Sequence, residues 1–192
     1  MADLEQRLDQ VEEIITKQSF RENKGLSNEV GYYVFDYPAE QELTVRNRID
    51  TMVKKNEKGY CGFRIVCFDL YDLIIKNLKG KNFMDKCIKF EKIKGMGYLT
   101  KSIGNALGFS SDDNLIIRHI RENTPDNSVV FLIGVGKCFP ILRSHKILNN
   151  LHQVMDKVPV VMFYPGKYDG RELVLFSEVK DDNYYRAFKL VE

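Results

Sequence analysis

The sequence predicts an α/β protein: a layered, mostly parallel sheet of about five strands flanked by helices, with a helical insertion in the middle and an antiparallel pair at the C-terminal end. Three observations carry this expectation. Short apolar runs alternate with helical patterns, as they do where strands are joined by crossover helices. One run, Ser128–Gly134 (SVVFLIG), is apolar without interruption and needs cover on both faces, as a strand inside a parallel sheet has. The last two strands are joined only by Pro165–Gly170, too short for a crossover helix, so that pair must be antiparallel.

Each element has its own reason. Ala2–Gln18 reads as an amphipathic helix, because Leu4, Leu8, Val11 and Ile15 form one stripe at helical spacing. Such a helix either docks on its own domain or offers its face to a partner. Arg21–Gly31 is polar and carries glycine, so it is a loop. Tyr32–Tyr37 (YYVFDY) is aromatic, β-branched and followed by a breaker: a buried strand. Pro38 opens a helix reaching about Asn56, since proline suits a helix start. Gly62–Leu70 (GFRIVCFDL) is the second strand. Tyr71–Asn123 is helical, punctuated near Gly80, Gly95–Gly97 and Gly108, with a helix start at Ser110–Asp113, whose short polar side chains suit orphan amides. A helix over about Ile141–Asp156 and the strands Val158–Tyr164 and Leu173–Phe176 complete the chain. No repeat or linker divides it, so residues 1–192 are expected to form one domain, with 2–18 as the N-terminal helix and 71–123 as the insertion.

Composition excludes several classes. A chain of 192 residues can bury roughly 70% of its unfolded surface and needs no disulfide or metal to fold. No apolar run approaches the roughly 18 residues of a membrane span, and the first 30 residues lack the apolar core of a signal peptide. A cytoplasmic location follows as an expectation. Lysine and arginine (29) nearly balance aspartate and glutamate (27), so the net charge of +2 argues neither for nor against nucleic acid. Cys61, Cys67, Cys87 and Cys138 lack metal-ligand spacing and read as reduced thiols.

The candidate chemistry is thin. GVGKCFP (Gly134–Pro140) has the Gly-Lys pair of a phosphate loop. It lacks the first glycine, because Phe131 stands there, and the hydroxyl, because Cys138 follows the lysine. Asp69 ends a strand as a magnesium carboxylate would, but it is also placed to cap the next helix, and Asp36 has the same position before Pro38. His145 and His152 share a helix face but lie about 10 Å apart along the axis, too far to hold one metal, and His119 stands alone. No catalytic set, cofactor or metal is expected. Lys81, Lys86, Lys89 and Lys92 gather on one side of a helix, opposite Phe83, Met84, Cys87 and Phe90. That pattern is either a solvated face or a phosphate-contacting one. Lys180–Leu190 (KDDNYYRAFKL) joins charges to adjacent tyrosines and reads equally as a partner surface or as a capped turn with its rings packed inward.

Four segments together carry a family resemblance: NKGLSNEVGYYVFDY (Asn23–Tyr37), FLIGVGKCFPILRSHKILNNL (Phe131–Leu151), VPVVMFYPGKYDG (Val158–Gly170) and LFSEVKDDNYYRAFKLV (Leu175–Val191). The chain resembles the BrxB family, the small components of bacteriophage exclusion (BREX) systems, nearly end to end and least through Lys76–Asn123. The resemblance implies a cytoplasmic phage-defence protein with no assigned catalytic activity, working beside PglX-like, PglZ-like and BrxC-like proteins. On that basis the expectation is a non-catalytic adaptor that binds a PglZ-like or BrxC-like subunit. Its docking surface would combine Arg143, His145, Asn149, Tyr164, Tyr168 and Asp169, extended by Asp182, Tyr184, Tyr185 and Arg186. The alternatives are an accessory nucleic-acid-binding subunit using the lysine face and a degenerate nucleotide-binding module.

Overall fold

The structure, a computed structural model, describes residues 3–22, 31–59, 61–181 and 187–192. In chain order the elements are α1 (Leu4–Thr16), α2 (Gln18–Arg21), β1 (Tyr32–Tyr37), a 3-10 turn (Ala39–Gln41), α3 (Glu42–Lys58), β2 (Arg64–Asp69), α4 (Leu70–Gly80), α5 (Met84–Leu107), α6 (Leu115–Glu122), β3 (Ser128–Ile133), α7 (Val135–Cys138), α8 (Ser144–Val154), β4 (Val160–Tyr168), β5 (Leu173–Leu175), β6 (Val179–Asp181) and β7 (Phe188–Lys189).

The sheet runs in the order β2-β3-β4-β1-β7, and every pairing along that path is parallel. The chain leaves β1 for the far edge at β2, then returns strand by strand to β4. Because crossovers keep one hand, reversing the direction of travel puts the two sets of helices on opposite faces. Side-chain alternation supplies the two cores. Val34, Val130, Leu132, Val160 and Met162 face α4 to α8, while Phe35, Val129, Phe131, Val161 and Phe163 face α1 to α3. The uninterrupted apolar run of β3 therefore finds cover on both sides. β4 extends past its neighbours and folds back as β5, antiparallel, and then β6, as the short link requires.

The local expectations fare differently, the docked reading of α1 holding and others being corrected. α1 buries its whole stripe, Leu4, Leu8, Val11 and Ile15, against α3 and the sheet, so its apolar face is spent on its own fold. The helix expected over about Ile141–Asp156 is shorter: after β3, Gly134 takes a left-handed conformation, α7 makes one turn, and α8 runs only from Ser144 to Val154. The cap of α6 is Asn114, whose Oδ1 accepts from the amides of Ile116 (3.0 Å) and Ile117 (3.2 Å), and not Ser110–Asp113. Asp113 pairs instead with Arg118 and Arg121. β6 and β7 were not legible in the sequence, because strands of three and two residues carry no period.

Candidate functional site

Open α/β sheets place ligand crevices beyond the carboxyl ends of their strands. Here those ends bring together Asp36 from β1, Asp69 from β2, the loop after β3 and the β4–β5 hairpin. The hairpin lies across the end of β1. The amide of Tyr168 donates to Asp36 Oδ2 at 3.0 Å. The other carboxylate oxygen, Oδ1, accepts from Arg7 Nη2 at 2.8 Å, and Arg7 Nη1 donates to the Asp36 carbonyl, also at 2.8 Å. Lys189 stands 3.9 Å away, and the Arg7 guanidinium lies over the Phe35 ring. Asp36 is thus not the cap of the helix after Pro38. α3 begins six residues on, at Glu42, and the carboxylate turns to α1 and the hairpin instead. Close packing of the hairpin needs Gly166, since a Cβ there would run into the Val174 carbonyl.

Asp69 does cap its helix: Oδ1 accepts from the amides of Tyr71 (3.0 Å) and Asp72 (3.2 Å). Its second oxygen is bonded by Lys137, the lysine of GVGK, whose ammonium also sits 5.5 Å from the Tyr71 ring centre. Gly134 permits this approach, with φ +76° and the Asp69 carboxylate where a Cβ would be. The Gly-Lys pair therefore fastens the end of β3 to the end of β2. Next to it, the β5–β6 turn holds Phe176 and Ser177 at φ +55° and +60°, an unusual backbone for residues other than glycine, and lays the Phe176 ring against Gly136, while the Phe176 amide donates to the Pro165 carbonyl at 2.8 Å. Burial pushes the thiols of Cys67 and Cys138 up to about 12, with the Asp69 charge adding to the effect.

The sequence-predicted residues fare unevenly. Arg143 and Asn149 are exposed at the start and along the outside of α8, and His145 is half-buried. Arg143 and Tyr164 line one small cavity of about 20 Å³ with Leu142, Leu175 and Val179. Asp169 is exposed and closes the hairpin turn, accepting from the amides of Arg171 (2.8 Å) and Glu172 (2.7 Å), which holds its carboxyl below the ordinary value. Tyr164 and Tyr168 do not belong to a surface: they are 1% and 2% exposed, and the Tyr168 hydroxyl donates to the Ala187 carbonyl at 2.6 Å. Their side chains fill the core on the α4–α8 face, because even-numbered positions of β4 point there. Asp182, Tyr184, Tyr185 and Arg186 lie outside the described residues. Lys81, Lys86, Lys89 and Lys92 are all exposed, and Cys87 faces inward as the helical period predicts. Among the described residues no group of three His, Cys, Asp or Glu side chains is placed to hold a metal ion, and no helix is long and apolar enough to cross a membrane. The sequence reading missed Arg7 altogether; its one signal is a cation directly beside the apolar stripe of α1.

These features define a doubly wound α/β protein whose carboxyl-edge crevice is closed by its own hairpin and whose edge carboxylates are held by internal donors. The model of the family "BrxB: BREX protein BrxB" matches residues 66–190. A "BREX protein BrxB" of Bacillus cereus (strain H3081.97) is 47% identical over 192 residues, covering all of both chains. Another, from Escherichia coli O9:H4 (strain HS), is 32% identical over 188 residues, covering 98% of this chain and 92% of its own. The chain belongs to the BrxB family. No solved structure matches it.

Proposed function

We propose that this protein serves phage defence as a binding subunit of a BREX system, docking through its carboxyl edge onto another BREX protein in the cytoplasm and catalysing no reaction of its own. Membership of the BrxB family makes it a BREX component, which implies phage defence. The observation that carries the binding role is the state of the two edge carboxylates. Each oxygen of Asp36 and Asp69 already accepts from the chain's own donors, Arg7, the Tyr168 amide, the first turn of α4 and Lys137. Groups held this way stiffen a platform, while general acid–base work needs a group within reach of a substrate proton. The platform displays Arg143, Asn149, Asp169 and Phe176 to solvent. A rigid edge carrying an aromatic ring and an arginine is suited to protein contact. The PglZ-like or BrxC-like protein is the proposed partner.

The test is co-purification of the tagged protein from cells expressing the whole BREX set, at moderate and high salt with nuclease present. A stoichiometric BREX partner should survive both treatments and be lost on combined Arg143→Ala and Asp169→Ala substitution. If no BREX protein co-purifies, or if the double variant folds and retains its partner, the carboxyl-edge reading is wrong.

A further inference from the structure

Residues 91–98, within α5, are all exposed, an unusual stretch for a helix of an α/β layer. The helix breaks at Gly95, where φ is +77° and ψ 175°. Eight residues of straight helix rise about 12 Å, yet the Phe90 and Tyr98 ring centres are only 5.1 Å apart, so the chain folds back across the break. Phe83 meets Phe90 edge-on at 6.2 Å, which props this fold from the inside. Outside it stand Ile88 (50% exposed), Ile93 (78%), Met96 (47%) and Tyr98 (40%). Among the described residues only Leu43 and Phe176 are other large apolar side chains exposed to this degree. Four exposed apolar side chains within eleven residues of an otherwise charged segment mark an interaction site.

The charge of this segment is predominantly positive. Between residues 81 and 101 there are six lysines, Lys81, Lys86, Lys89, Lys92, Lys94 and Lys101, against Asp85 and Glu91. This segment alone carries +4, whereas the whole chain carries +2. None of the six is ion-paired with a carboxylate among the described residues. Lys86 and Lys94 lie over the rings of Phe83 and Tyr98. Exposed apolar side chains interleaved with cations, as Lys89 and Lys92 lie between Ile88 and Ile93 around the helix, make the mixed surface of a protein–protein interface. A nucleic-acid backbone would use the lysines but has nothing to offer Ile88, Ile93 and Met96, since aliphatic side chains neither pair with phosphate nor stack on bases as aromatic rings do.

We infer that the exposed face of α5 is a second docking surface, built for a protein that presents apolar side chains interleaved with acidic ones. The inference rests on the binding-subunit reading above. The centre of this face at Ile93 and Met96 lies away from the pocket where Lys101 meets Arg143 of the carboxyl edge, so the molecule gains a second contact and bridges two proteins instead of decorating one. The lysines set the approach and the salt dependence, and Ile93 and Met96 hold the complex once formed.

The experiment measures binding of the full-length protein to each purified protein of its BREX system by calorimetry, in parallel with a 30-base-pair DNA duplex. Three variants are used: Ile93→Ser with Met96→Ser, Lys89→Glu with Lys92→Glu, and the carboxyl-edge pair Arg143→Ala with Asp169→Ala. The α5 side chains are exposed, so an unchanged melting temperature is the folding control. One BREX protein should bind at least about tenfold more weakly to each α5 variant. That binding should fall with salt, and it should persist when the carboxyl-edge pair is replaced. If a BREX protein binds every α5 variant as tightly as the native chain, this surface is wrong and the binding-subunit reading stands. If no BREX protein binds at all, both fall. If the duplex binds, is released by the lysine variant and ignores Ile93→Ser with Met96→Ser, the face contacts phosphate and the inference is overturned.

Discussion

Replacing Asp36 by asparagine should destabilise the fold by about 3 kcal/mol, although the side chain keeps its size. The two oxygens of Asp36 accept from different donors, Oδ1 from Arg7 and Oδ2 from the Tyr168 amide. An amide has one oxygen to offer, so either orientation of asparagine turns an NH₂ group toward a donor. The side chains of Arg7 and Asp36 are 14% and 12% exposed, so little water replaces the lost charge. Breaking a buried pair by removing one partner costs about 3–5 kcal/mol, and partial exposure places this pair at the low end. For a chain of this size that is a fall in Tm of about 6–12 °C. Urea unfolding followed by circular dichroism measures it. Arg7→Met added to Asp36→Asn should recover part of the loss, because no cation is then left buried, with a coupling energy above about 1 kcal/mol in the double-mutant cycle. A loss under about 1 kcal/mol for Asp36→Asn, or strict additivity of the two changes, would refute the account of the Arg7–Asp36–Tyr168 junction.

Three further outcomes are expected. Gly134→Ala combines left-handed backbone strain with a Cβ 2.5 Å from Asp69 Oδ1, whereas Gly62→Ala at φ +70° meets nothing within 4 Å. Unfolding midpoints should show Gly134→Ala worse by at least about 1 kcal/mol, and equal losses would dismiss the clash with Asp69. Asn56→Ala removes an amide that pairs two backbone groups at the entry to the edge strand, accepting from Ile65 N at 2.8 Å and donating to Phe63 O at 3.1 Å. It should cost about 2 kcal/mol and lower hydrogen-exchange protection of the Ile65 amide, and unchanged protection would contradict this role. Native labelling with iodoacetamide at pH 8 should modify the exposed Cys61 fastest, the half-buried Cys67 much more slowly and the buried Cys138 not at all, as read by mass spectrometry. The folded chain holds these two thiols protonated up to about 12 against an ordinary value of 9.0. Their contribution to stability is therefore complete below pH 9 and is lost as pH rises from there toward 12. Equal labelling of all three thiols would show that Cys67 and Cys138 are not shielded.

Sequence by itself determined what neighbouring residues decide. The period of α1, the strands YYVFDY, RIVCFD and SVVFLI, the antiparallel return after β4 and the Asp69 cap all depend on contacts a few residues apart, where backbone sterics and side-chain alternation act directly. The lysine side of α5 was legible for the same reason. Family membership was legible too, from the blocks Asn23–Tyr37, Phe131–Leu151, Val158–Gly170 and Leu175–Val191. Tertiary structure alone decided the carboxyl edge. Asp36 looked like a second cap until strand order set it between Arg7, 29 residues before it, and Tyr168, 132 residues after it. Lys137 looked like the remnant of a phosphate loop until the pairing of β2 with β3 carried it to Asp69. Tyr164 and Tyr168 looked like surface residues because they flank a turn. They are buried because β4 outruns its neighbours and stays covered to Tyr168. A carboxylate or a tyrosine takes whichever partner the fold delivers, and delivery across a sheet is fixed by strand order, which no local pattern encodes.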